Sequence, residues 1–523
     1  MSIISVNNLT FSYESSYENI FENVSFNIDT DWKLGFIGRN GRGKTTFLKL
    51  LMEEYKYSGS ITHSVKFDYF PFDVDDSKCT KEIIKNTIAP FNKWEKEMNE
   101  CIKINTEESM HHYGEILDLY INHDGYIIDE LIEKEINKLD VSIDVLSRPF
   151  FTLSNGERTK LILAALFLKK NNFLLIDEPT NHLDMEGRQT LLNYLKNKNG
   201  FILVSHDRYF IDNIVDHILS INKNNIEVQK GNFTSWQLNK ENQDNYELNK
   251  NSKLKREISS LETSFRRTAG WSNLVEKSKI GNHVGDRGYV GHKAAKMMKR
   301  AKSIENRKEN LIDDKKKLLK NIERADDLKI IPLKYHKNNL INIEDLSIKY
   351  GDKSIFKNVS FLINQGDRVS IRGKNGSGKS SILKLILGEN INYSGTVNIG
   401  SGLIISYVSQ NTDYLAGSFR DFCNSENIEE SLFKALLSKL DFTPNIFDKD
   451  LNELSGGQKK KILIAKSLVQ KAHLYIWDEP LNFIDVLSRI QIENLIKSYE
   501  PTMIFVEHDY QFNENIATKT IFI

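Results

Sequence analysis

Two segments of the 523-residue chain share a glycine-rich motif that ends in a lysine and a hydroxyl residue, Gly38-Arg-Asn-Gly-Arg-Gly-Lys44-Thr45 and Gly373-Lys-Asn-Gly-Ser-Gly-Lys379-Ser380. In such a motif a turn that opens a helix directs backbone N–H groups at phosphate, and the lysine reaches the outer phosphates. The hydroxyl group ligates magnesium. The sequence therefore predicts two nucleotide-binding P-loops.

Two carboxylates end an apolar segment in each half of the chain, at Asp177-Glu178 and at Asp478-Glu479. The apolar residues predict a buried strand, whose end places the carboxylates beside the phosphates. The aspartates are therefore expected to bind magnesium. The glutamates are expected to orient the attacking water or to accept its proton.

Histidines close two more apolar segments, which we predict as strands over residues 201–204 and 503–506. A lone histidine at the end of a strand is more often structural than catalytic. Here the ordered context favours a hydrogen bond from His206 and His508 to the terminal phosphate.

Gln410 follows the strand-like residues 403–408 and is expected to hold magnesium or the attacking water. The first half has Phe72 at the comparable position, and phenylalanine cannot ligate a cation. The two nucleotide sites are therefore expected to differ. The predicted magnesium ligands are Thr45, Asp177, Ser380, Gln410 and Asp478.

Aromatic residues precede both P-loops at matching spacing, Tyr13 by 31 residues before Lys44 and Tyr350 by 29 residues before Lys379. A single tyrosine of this kind usually belongs to a core or a surface. Its recurrence in both halves favours a ring that stacks on adenine.

Two short polar segments, Leu153–Glu157 and Leu454–Gln458, each precede residues that favour a helix. A hydroxyl group and free backbone amides at the start of a helix form an anion site. Each half is therefore expected to offer a second phosphate contact.

The first half contains an insertion, because 110 residues separate Lys44 from Ser154 whereas 76 separate Lys379 from Ser455. Apolar residues recur there at roughly helical spacing. We predict a small helical arm near residues 80–140.

The segment between the two halves, residues 241–330, has apolar residues at helical spacing on both sides of a glycine-rich stretch. This pattern predicts a hairpin of two long helices with its tip near residues 270–292. Residues 266–308 hold twelve Lys and Arg against three Asp and Glu. Most charged helices are simply solvated, but this concentration favours contact with RNA phosphates.

Composition sets the broad class of the protein. Lys plus Arg and Asp plus Glu both number 71, so the whole chain has no net charge. Its composition therefore gives no indication of a polyanionic partner. The three cysteines lack metal-ligand spacing, which excludes a cysteine-built cluster. No run approaches the ~20 apolar residues that cross a bilayer, and no signal peptide is recognisable, so we expect a cytoplasmic location.

Together these motifs resemble the ATP-binding-cassette superfamily. The resemblance implies an α/β fold with two P-loop NTPase domains in tandem, at residues 1–240 and 331–523, joined by the helical hairpin linker. It also implies ATP and Mg²⁺ as cofactors, with each nucleotide held between the P-loop of one cassette and the signature segment, Leu153–Glu157 or Leu454–Gln458, of the other.

The residues assigned to ATP are Tyr13, Gly38, Arg39, Asn40, Gly41, Arg42, Gly43, Lys44, Thr45, Thr46, Ser154, Asn155, Gly156, Glu157, Tyr350, Gly373, Lys374, Asn375, Gly376, Ser377, Gly378, Lys379, Ser380, Ser381, Gln410, Ser455, Gly456, Gly457 and Gln458. The catalytic residues are expected to be Glu178, Glu479, His206 and His508.

Two fused cassettes, a charged helical connector and the segment Thr180-Asn-His-Leu-Asp184 resemble the ABC-F family of ribosome-associated translation factors. The short arm and long linker are most similar to the branch that confers resistance to lincosamides, streptogramin A and pleuromutilins. Leu481, Phe483 and Asn155 depart from the family pattern, which puts the equality of the two sites in doubt.

This resemblance implies docking at the ribosomal exit site, with the linker directed at transfer RNA and the peptidyl-transferase centre. A monomer is expected, because the two halves can complete both nucleotide sites within one molecule, and no membrane or DNA partner is expected. The linker residues expected to bind RNA are Arg266, Arg267, Lys277, Lys279, Arg287, Lys293, Lys296, Lys299 and Arg300.

Two other functions remain open from the sequence. A housekeeping translation factor needs the same motor as a resistance protein. The soluble ATPase subunit of an exporter is the alternative from another class, but an exporter motor has no evident use for a long basic hairpin.

Overall fold

The computed structural model describes residues 2–14, 19–181, 183–221, 226–277, 299, 303, 328–350 and 353–523. Contacts between Cα atoms divide the chain into two compact units. One comprises Met1–Phe233 and Ala325–Ile523, and the other comprises Thr234–Arg324.

Strands of the first half form one large and one small sheet. In chain order they are β1 (Ile3–Phe11), β2 (Phe21–Asp29), β3 (Lys33–Gly38), β4 (Ser58–Thr62), β5 (Lys66–Phe70), β6 (Asn172–Asp177), β7 (Phe201–Val204), β8 (His217–Ile221) and β9 (Ile226–Lys230). The large sheet has the order β5-β6-β7-β3-β8-β9 and is parallel except for β9. The small antiparallel sheet has the order β2-β1-β4.

Helices of the first half pack around these sheets or fill the insertion. They are α1 (Lys44–Leu51), α2 (Thr80–Ile88), α3 (Phe91–Ile104), α4 (Glu107–Asn122), α5 (Ile128–Lys138), α6 (Asn155–Leu168), α7 (Met185–Lys196) and α8 (Arg208–Ile214), with 3-10 turns at Ile143–Ser147 and Phe150–Thr152. The helices α2 to α5 occupy the region in which the helical arm is predicted.

One long helix, α9 (Phe233–Lys277), begins before the linker boundary that we placed at residue 241. Its sequence is free of proline, which would interrupt the backbone hydrogen bonds of a helix.

The second half repeats the two-sheet arrangement of the first. Its strands are β10 (Asn339–Tyr350), β11 (Lys353–Asn364), β12 (Arg368–Arg372), β13 (Tyr393–Ile399), β14 (Ile405–Val408), β15 (Leu474–Asp478), β16 (Met503–Val506) and β17 (Lys519–Phe522). They form a parallel sheet of order β14-β15-β16-β12-β17 and an antiparallel sheet of order β11-β10-β13.

Helices of the second half are α10 (Lys379–Ile386), α11 (Phe419–Ser425), α12 (Glu430–Lys439), α13 (Gly456–Val469), α14 (Val486–Tyr499) and α15 (Tyr510–Ile516), with 3-10 turns at Pro444–Ile446 and Leu451–Glu453.

Central strands of both parallel sheets are buried along their whole length, as in β7, β15 and β16. Parallel strands covered by helices on both faces are expected to be continuously apolar, and these are. Because the carboxyl ends of parallel strands meet at one edge, each sheet brings its P-loop, its Asp-Glu pair and its histidine together. The predicted α/β class with two similar halves is confirmed.

Candidate nucleotide-hydrolysis sites

Each P-loop requires glycine at the residue before its helix. Gly43 and Gly378 precede α1 and α10 and have φ angles of 93° and 96°. A Cβ atom at Gly43 would lie 2.5 Å from Ile20 Cγ2, and one at Gly378 would lie 2.6 Å from Ile355 Cγ2. The left-handed backbone and the close neighbour together exclude a side chain at both positions.

The P-loop lysines are buried and donate to carbonyl groups of their own loops. Lys44 Nζ lies 2.8 Å from the oxygen of Gly38, and Lys379 Nζ lies 2.9 Å from that of Gly373. Burial lowers the pKa of both ammonium groups, against the carboxylates nearby that raise it. A triphosphate would supply the negative charge that these buried cations need.

Oxygen atoms that fit magnesium meet at each P-loop. Thr45 Oγ1 donates to Asp177 Oδ2 at 2.9 Å, and Ser380 hydrogen-bonds to Asp478. Asp478 Oδ1 is buried and has no hydrogen-bond partner among the described residues. Burial raises the pKa of Asp177, and it raises that of Asp478 to about 6. Mg²⁺ prefers such hard oxygen ligands, and when bound it neutralises charge on the phosphates.

Both glutamates after these aspartates have a left-handed backbone, with φ angles of 50° at Glu178 and 46° at Glu479. This conformation is costly for a residue with a side chain and must be held by its surroundings. The backbone N–H of each glutamate donates at 2.9 Å to the carbonyl oxygen of the last residue in the neighbouring strand, which is Val204 for Glu178 and Val506 for Glu479.

The glutamates differ in the donors around their carboxylates. Gln410 Nε2 and Asn482 Nδ2 donate to Glu479 Oε2 at 2.9 and 2.7 Å. His508 Nε2 lies 3.4 Å from the other oxygen. Burial acts to raise the pKa of Glu479, but these contacts, with His508 foremost, lower it to about 2.

Glu178 has weaker contacts. The ring of His206 lies 3.4 Å from one carboxylate oxygen, and the backbone N–H of His206 lies 3.4 Å from the other. Burial, followed by the negative charge of Asp177, raises the pKa of Glu178. Phe72 stands where the second half has Gln410, so Glu178 lacks that donor, as the sequence indicated.

Tyr69 is a site residue that the sequence did not reveal. Its hydroxyl group donates to Asp177 Oδ2 at 3.0 Å. Strand register makes Tyr407 its equivalent, because Tyr69 pairs with Leu175 and Tyr407 with Ile476, each two residues before an aspartate. The matching position was the available signal, but both tyrosines resembled ordinary strand residues.

The tyrosines predicted to stack on adenine are anchored by their hydroxyl groups. Tyr13 Oη lies 2.8 Å from Thr46 Oγ1, and Tyr350 Oη lies 3.1 Å from Ser381 Oγ. Both rings are exposed. The equivalent bonds orient the two rings alike beside their P-loops and leave surface for a base to stack on.

Both signature segments form a capping box at the start of a helix. Ser154 and Glu157 cap α6, and Ser455 and Gln458 cap α13, each through reciprocal side-chain and backbone hydrogen bonds. A capping box satisfies the amides of the serine and of the residue three positions later, and it fixes where the helix begins. The remaining amides at these ends favour an anion.

The second P-loop and the first signature segment line one cavity of about 800 Å³. Its lining also includes Tyr350, Glu479 and His508. The residues that it takes from the P-loop and the signature segment are Ser154, Asn155, Gly156, Glu157, Asn375, Gly376, Gly378, Lys379, Ser380 and Ser381. We call this the second composite site.

The first P-loop contacts the opposite cassette directly. Asn40 Nδ2 donates to the carbonyl oxygen of Phe483 at 2.8 Å, and Arg42 Nη2 lies 3.5 Å from Asp441 Oδ1. A Cβ atom at Gly457 of the second signature would come within 2.9 Å of Asn40 Nδ2. We call this pairing the first composite site.

The residues predicted to bind RNA are mostly beyond what the structure describes. Lys299 is helical and exposed. Arg266, Arg267 and Lys277 belong to α9, but the structure describes only their backbone. The other predicted residues lie outside the described part of the chain: Lys279, Arg287, Lys293, Lys296 and Arg300.

Among the described helices, none combines the length and the apolar character needed to cross a membrane.

Comparison with known proteins identifies the family. The model of the ABC transporter family matches residues 21–181 and 356–482. The ribosome protection protein VmlR of Bacillus subtilis is 30% identical over 383 residues, which cover 72% of this chain and 69% of VmlR. The energy-dependent translational throttle protein EttA of Haemophilus influenzae is 26% identical, with 93% of this chain and 86% of EttA covered.

The ABC transporter F family member 5 of Arabidopsis thaliana is 26% identical, with 94% of this chain and 70% of the relative covered. An archaeal ribosome recycling factor, solved with a ribosomal stalk protein, superposes with a TM-score of 0.59 at 17% identity. That superposition covers 98% of this chain and 87% of the factor, and it shows the tandem fold. The chain therefore belongs to the ATP-binding-cassette family, and within it this is an ABC-F ATPase that hydrolyses ATP with Mg²⁺ as cofactor.

Proposed function

We propose that this ABC-F ATPase binds the ribosome and uses its linker to remodel the peptidyl-transferase region or its transfer RNA. The remodelling protects the ribosome against antibiotics such as lincosamides, streptogramin A and pleuromutilins. The 30% identity to a ribosome protection protein is the observation that carries this proposal.

Roles for the site residues follow from their positions. Glu178 and Glu479 orient the attacking water or accept its proton, while His206 and His508 donate to the terminal phosphate. A nucleotide bound in a composite site contacts both cassettes, so binding favours the closed arrangement. Hydrolysis removes those contacts and the cassettes separate.

The linker supplies the contact to RNA. Its twelve basic residues against three acidic ones in residues 266–308 favour phosphate, and the large-subunit RNA of the ribosomal exit site is the proposed partner. Because ribosomes are cytoplasmic, the proposed role implies a cytoplasmic location for the protein. One molecule suffices, because its two halves complete both composite sites.

Drug susceptibility tests the protective role. A susceptible strain that expresses the protein should tolerate higher concentrations of lincosamides, streptogramin A or pleuromutilins than the strain without it. The matched control is the Glu178→Gln, Glu479→Gln double variant at equal abundance, which should give no tolerance. Equal susceptibility of all three strains would contradict ribosome protection.

A translation factor without a protective role is the second candidate, and the 26% identity to a translational throttle protein favours it. It predicts ribosome binding and an effect on protein synthesis in the absence of drug. Unchanged drug susceptibility together with altered synthesis in a cell-free reaction would support this candidate instead.

A further inference from the structure

Glu507 connects two backbone segments of the second composite site. It is 3% exposed and lies between β16 and His508. One carboxylate oxygen accepts from the backbone N–H of Leu481 at 3.1 Å, and the other accepts from that of His508 at 2.9 Å. A single carboxylate thus links the segment that follows Glu479 to the segment that carries the histidine.

The first half makes the same connection differently. Thr180 and Ser205 occupy the positions of Leu481 and Glu507, and their hydroxyl oxygens lie 3.4 Å apart. Leu481 has no hydroxyl group and is fully buried, so a serine in place of Glu507 would have no side-chain partner there. The two differences between the halves therefore compensate each other.

Leu481 is held from both sides of its peptide unit. Arg489 Nη2 donates to its carbonyl oxygen at 2.8 Å, and Arg489 Nη1 donates to Asp509 Oδ2 at 2.8 Å. The next residue, Asn482, donates to the Glu479 carboxylate at 2.7 Å. Fixing Leu481 therefore also fixes a donor to Glu479.

Charged groups from several elements surround Glu507. Arg489 lies on α14, Asp509 lies immediately before α15, and Lys460 lies on α13. His508 and Arg188 also act on Glu507. Burial raises the pKa of Glu507, and its two backbone N–H donors and the Arg489 cation offset the loss of water only in part.

We propose that Glu507 is a positioning residue for ATP hydrolysis at the second composite site, acting through Leu481 and His508. This inference rests on the proposed catalytic roles of Glu479 and His508. Glu507 itself lies beneath the backbone segments rather than among the groups proposed to contact the nucleotide. Its effect should therefore fall on turnover rather than on nucleotide binding.

The test uses the full chain with Glu178→Gln, so that turnover reports the second composite site. In this background Glu507→Ser should lower kcat by about 10- to 100-fold, as misplacement of catalytic groups does, with KM for ATP changed less than about threefold. Glu507→Gln is the second variant, because it keeps the volume but turns one acceptor into a donor that faces an N–H group. It should lower kcat while a fluorescent ATP analogue binds as before.

Rescue distinguishes positioning from a general loss of stability. The Leu481→Thr, Glu507→Ser double variant rebuilds the Thr180–Ser205 pair of the first half and should regain at least a third of the kcat. Glu514→Gln is the matched control, because Glu514 is a half-exposed acid on α15 that pairs with Arg372. It should leave kcat unchanged.

Two results would overturn the inference. One is a kcat within twofold of the background for both Glu507→Ser and Glu507→Gln. The other is a loss that the double variant does not relieve. Glu479→Gln in the same background separately tests the catalytic assignment, since persisting turnover there would refute the proposed role of Glu479 rather than that of Glu507.

Discussion

The two glutamates that we propose to be catalytic, Glu178 and Glu479, share a strained backbone but not the same set of donors. Three side chains, Gln410, Asn482 and His508, surround the Glu479 carboxylate at 2.7 to 3.4 Å. Among the described residues, only His206 contacts the Glu178 carboxylate within hydrogen-bonding range, through its ring and its backbone N–H, both at 3.4 Å. Preorganised donors hold the Glu479 carboxylate in one orientation, which favours its proposed role in orienting the attacking water. The second composite site should therefore carry most of the turnover.

Single variants measure this difference. Glu479→Gln should remove more than half of the steady-state ATPase rate, and Glu178→Gln should remove less. Both substitutions keep the side-chain volume, so each serves as the control for the other. A larger loss from Glu178→Gln would show that the donors around Glu479 do not determine the rate.

Most residues of the candidate sites could be predicted from short sequence motifs. P-loop glycines, lysines and hydroxyl residues are recognisable from the sequence because backbone conformation and phosphate chemistry restrict each position to few residue types. Tyr69 and Glu507 were not recognisable. Their contacts depend on the register of β5 against β6 and on the packing of two backbone segments, neither of which leaves a local pattern.

At the scale of elements, α5 of the insertion is joined to α7, the helix that follows Asp177-Glu178 along the chain. Glu135 on α5 is 6% exposed and accepts from the hydroxyl group of Tyr194 on α7 at 2.5 Å. It also accepts from Lys138 and Lys198 at 2.6 and 2.7 Å. Burial acts to raise the pKa of Glu135, but these donors lower it to about 2.

The pKa of Glu135 predicts how stability depends on pH. A carboxyl group whose pKa falls on folding stabilises the folded state above its unfolded pKa of about 4.5, and this contribution is lost as pH falls towards 2. Glu135→Gln should therefore destabilise the protein by about 2 kcal/mol at pH 7 and by less at pH 3. Thermal unfolding of parent and variant at both pH values checks this.

Glu130→Gln is the control for this experiment, because Glu130 lies on the same helix but is exposed. It should change stability by less than about 0.5 kcal/mol at either pH. An equal effect of both substitutions, or a difference that grows as pH falls, would contradict the role of Glu135.

Element boundaries followed the sequence where polar residues flank a short apolar run. The strands predicted at residues 201–204 and 503–506 have those bounds in the structure. The strand expected over residues 403–408 begins only at Ile405, because the apolar residues Leu403 and Ile404 precede the first paired residue. Helix α9 begins at Phe233, eight residues before the boundary that we placed at residue 241, and Asn232, a residue type that commonly caps helices, was the available signal.

At the scale of the molecule, different ion pairs join the two P-loops to the opposite cassettes. Arg39 and Arg42 of the first P-loop lie 3.7 and 3.5 Å from Asp441, and the Arg39 side chain is 8% exposed. Lys374 of the second P-loop pairs with Glu186 at 2.8 Å, with side chains 72% and 69% exposed. Ion pairs between exposed side chains contribute little free energy. The pairs of Asp441 should therefore stabilise the closed arrangement of the cassettes more than the Lys374–Glu186 pair does.

Asp441→Asn tests this asymmetry. Asn tolerates the positive φ of 70° at this position, so the substitution removes charge without straining the backbone. The ATP-dependent closure equilibrium should fall about fivefold, measured by energy transfer between dyes on the two cassettes. Glu186→Gln is the control and should leave closure nearly unchanged. Equal effects would remove the special role of Asp441.

Sedimentation with ribosomes is the most direct test of a motor that closes with ATP and leaves the ribosome after hydrolysis. The Glu178→Gln, Glu479→Gln double variant keeps its P-loops and signature segments but lacks the two carboxylates that we propose to be catalytic. With ATP it should remain in the ribosomal pellet at moderate salt, while the parent should appear mostly in the supernatant. A double variant that leaves the ribosome as readily as the parent would contradict the proposed cycle.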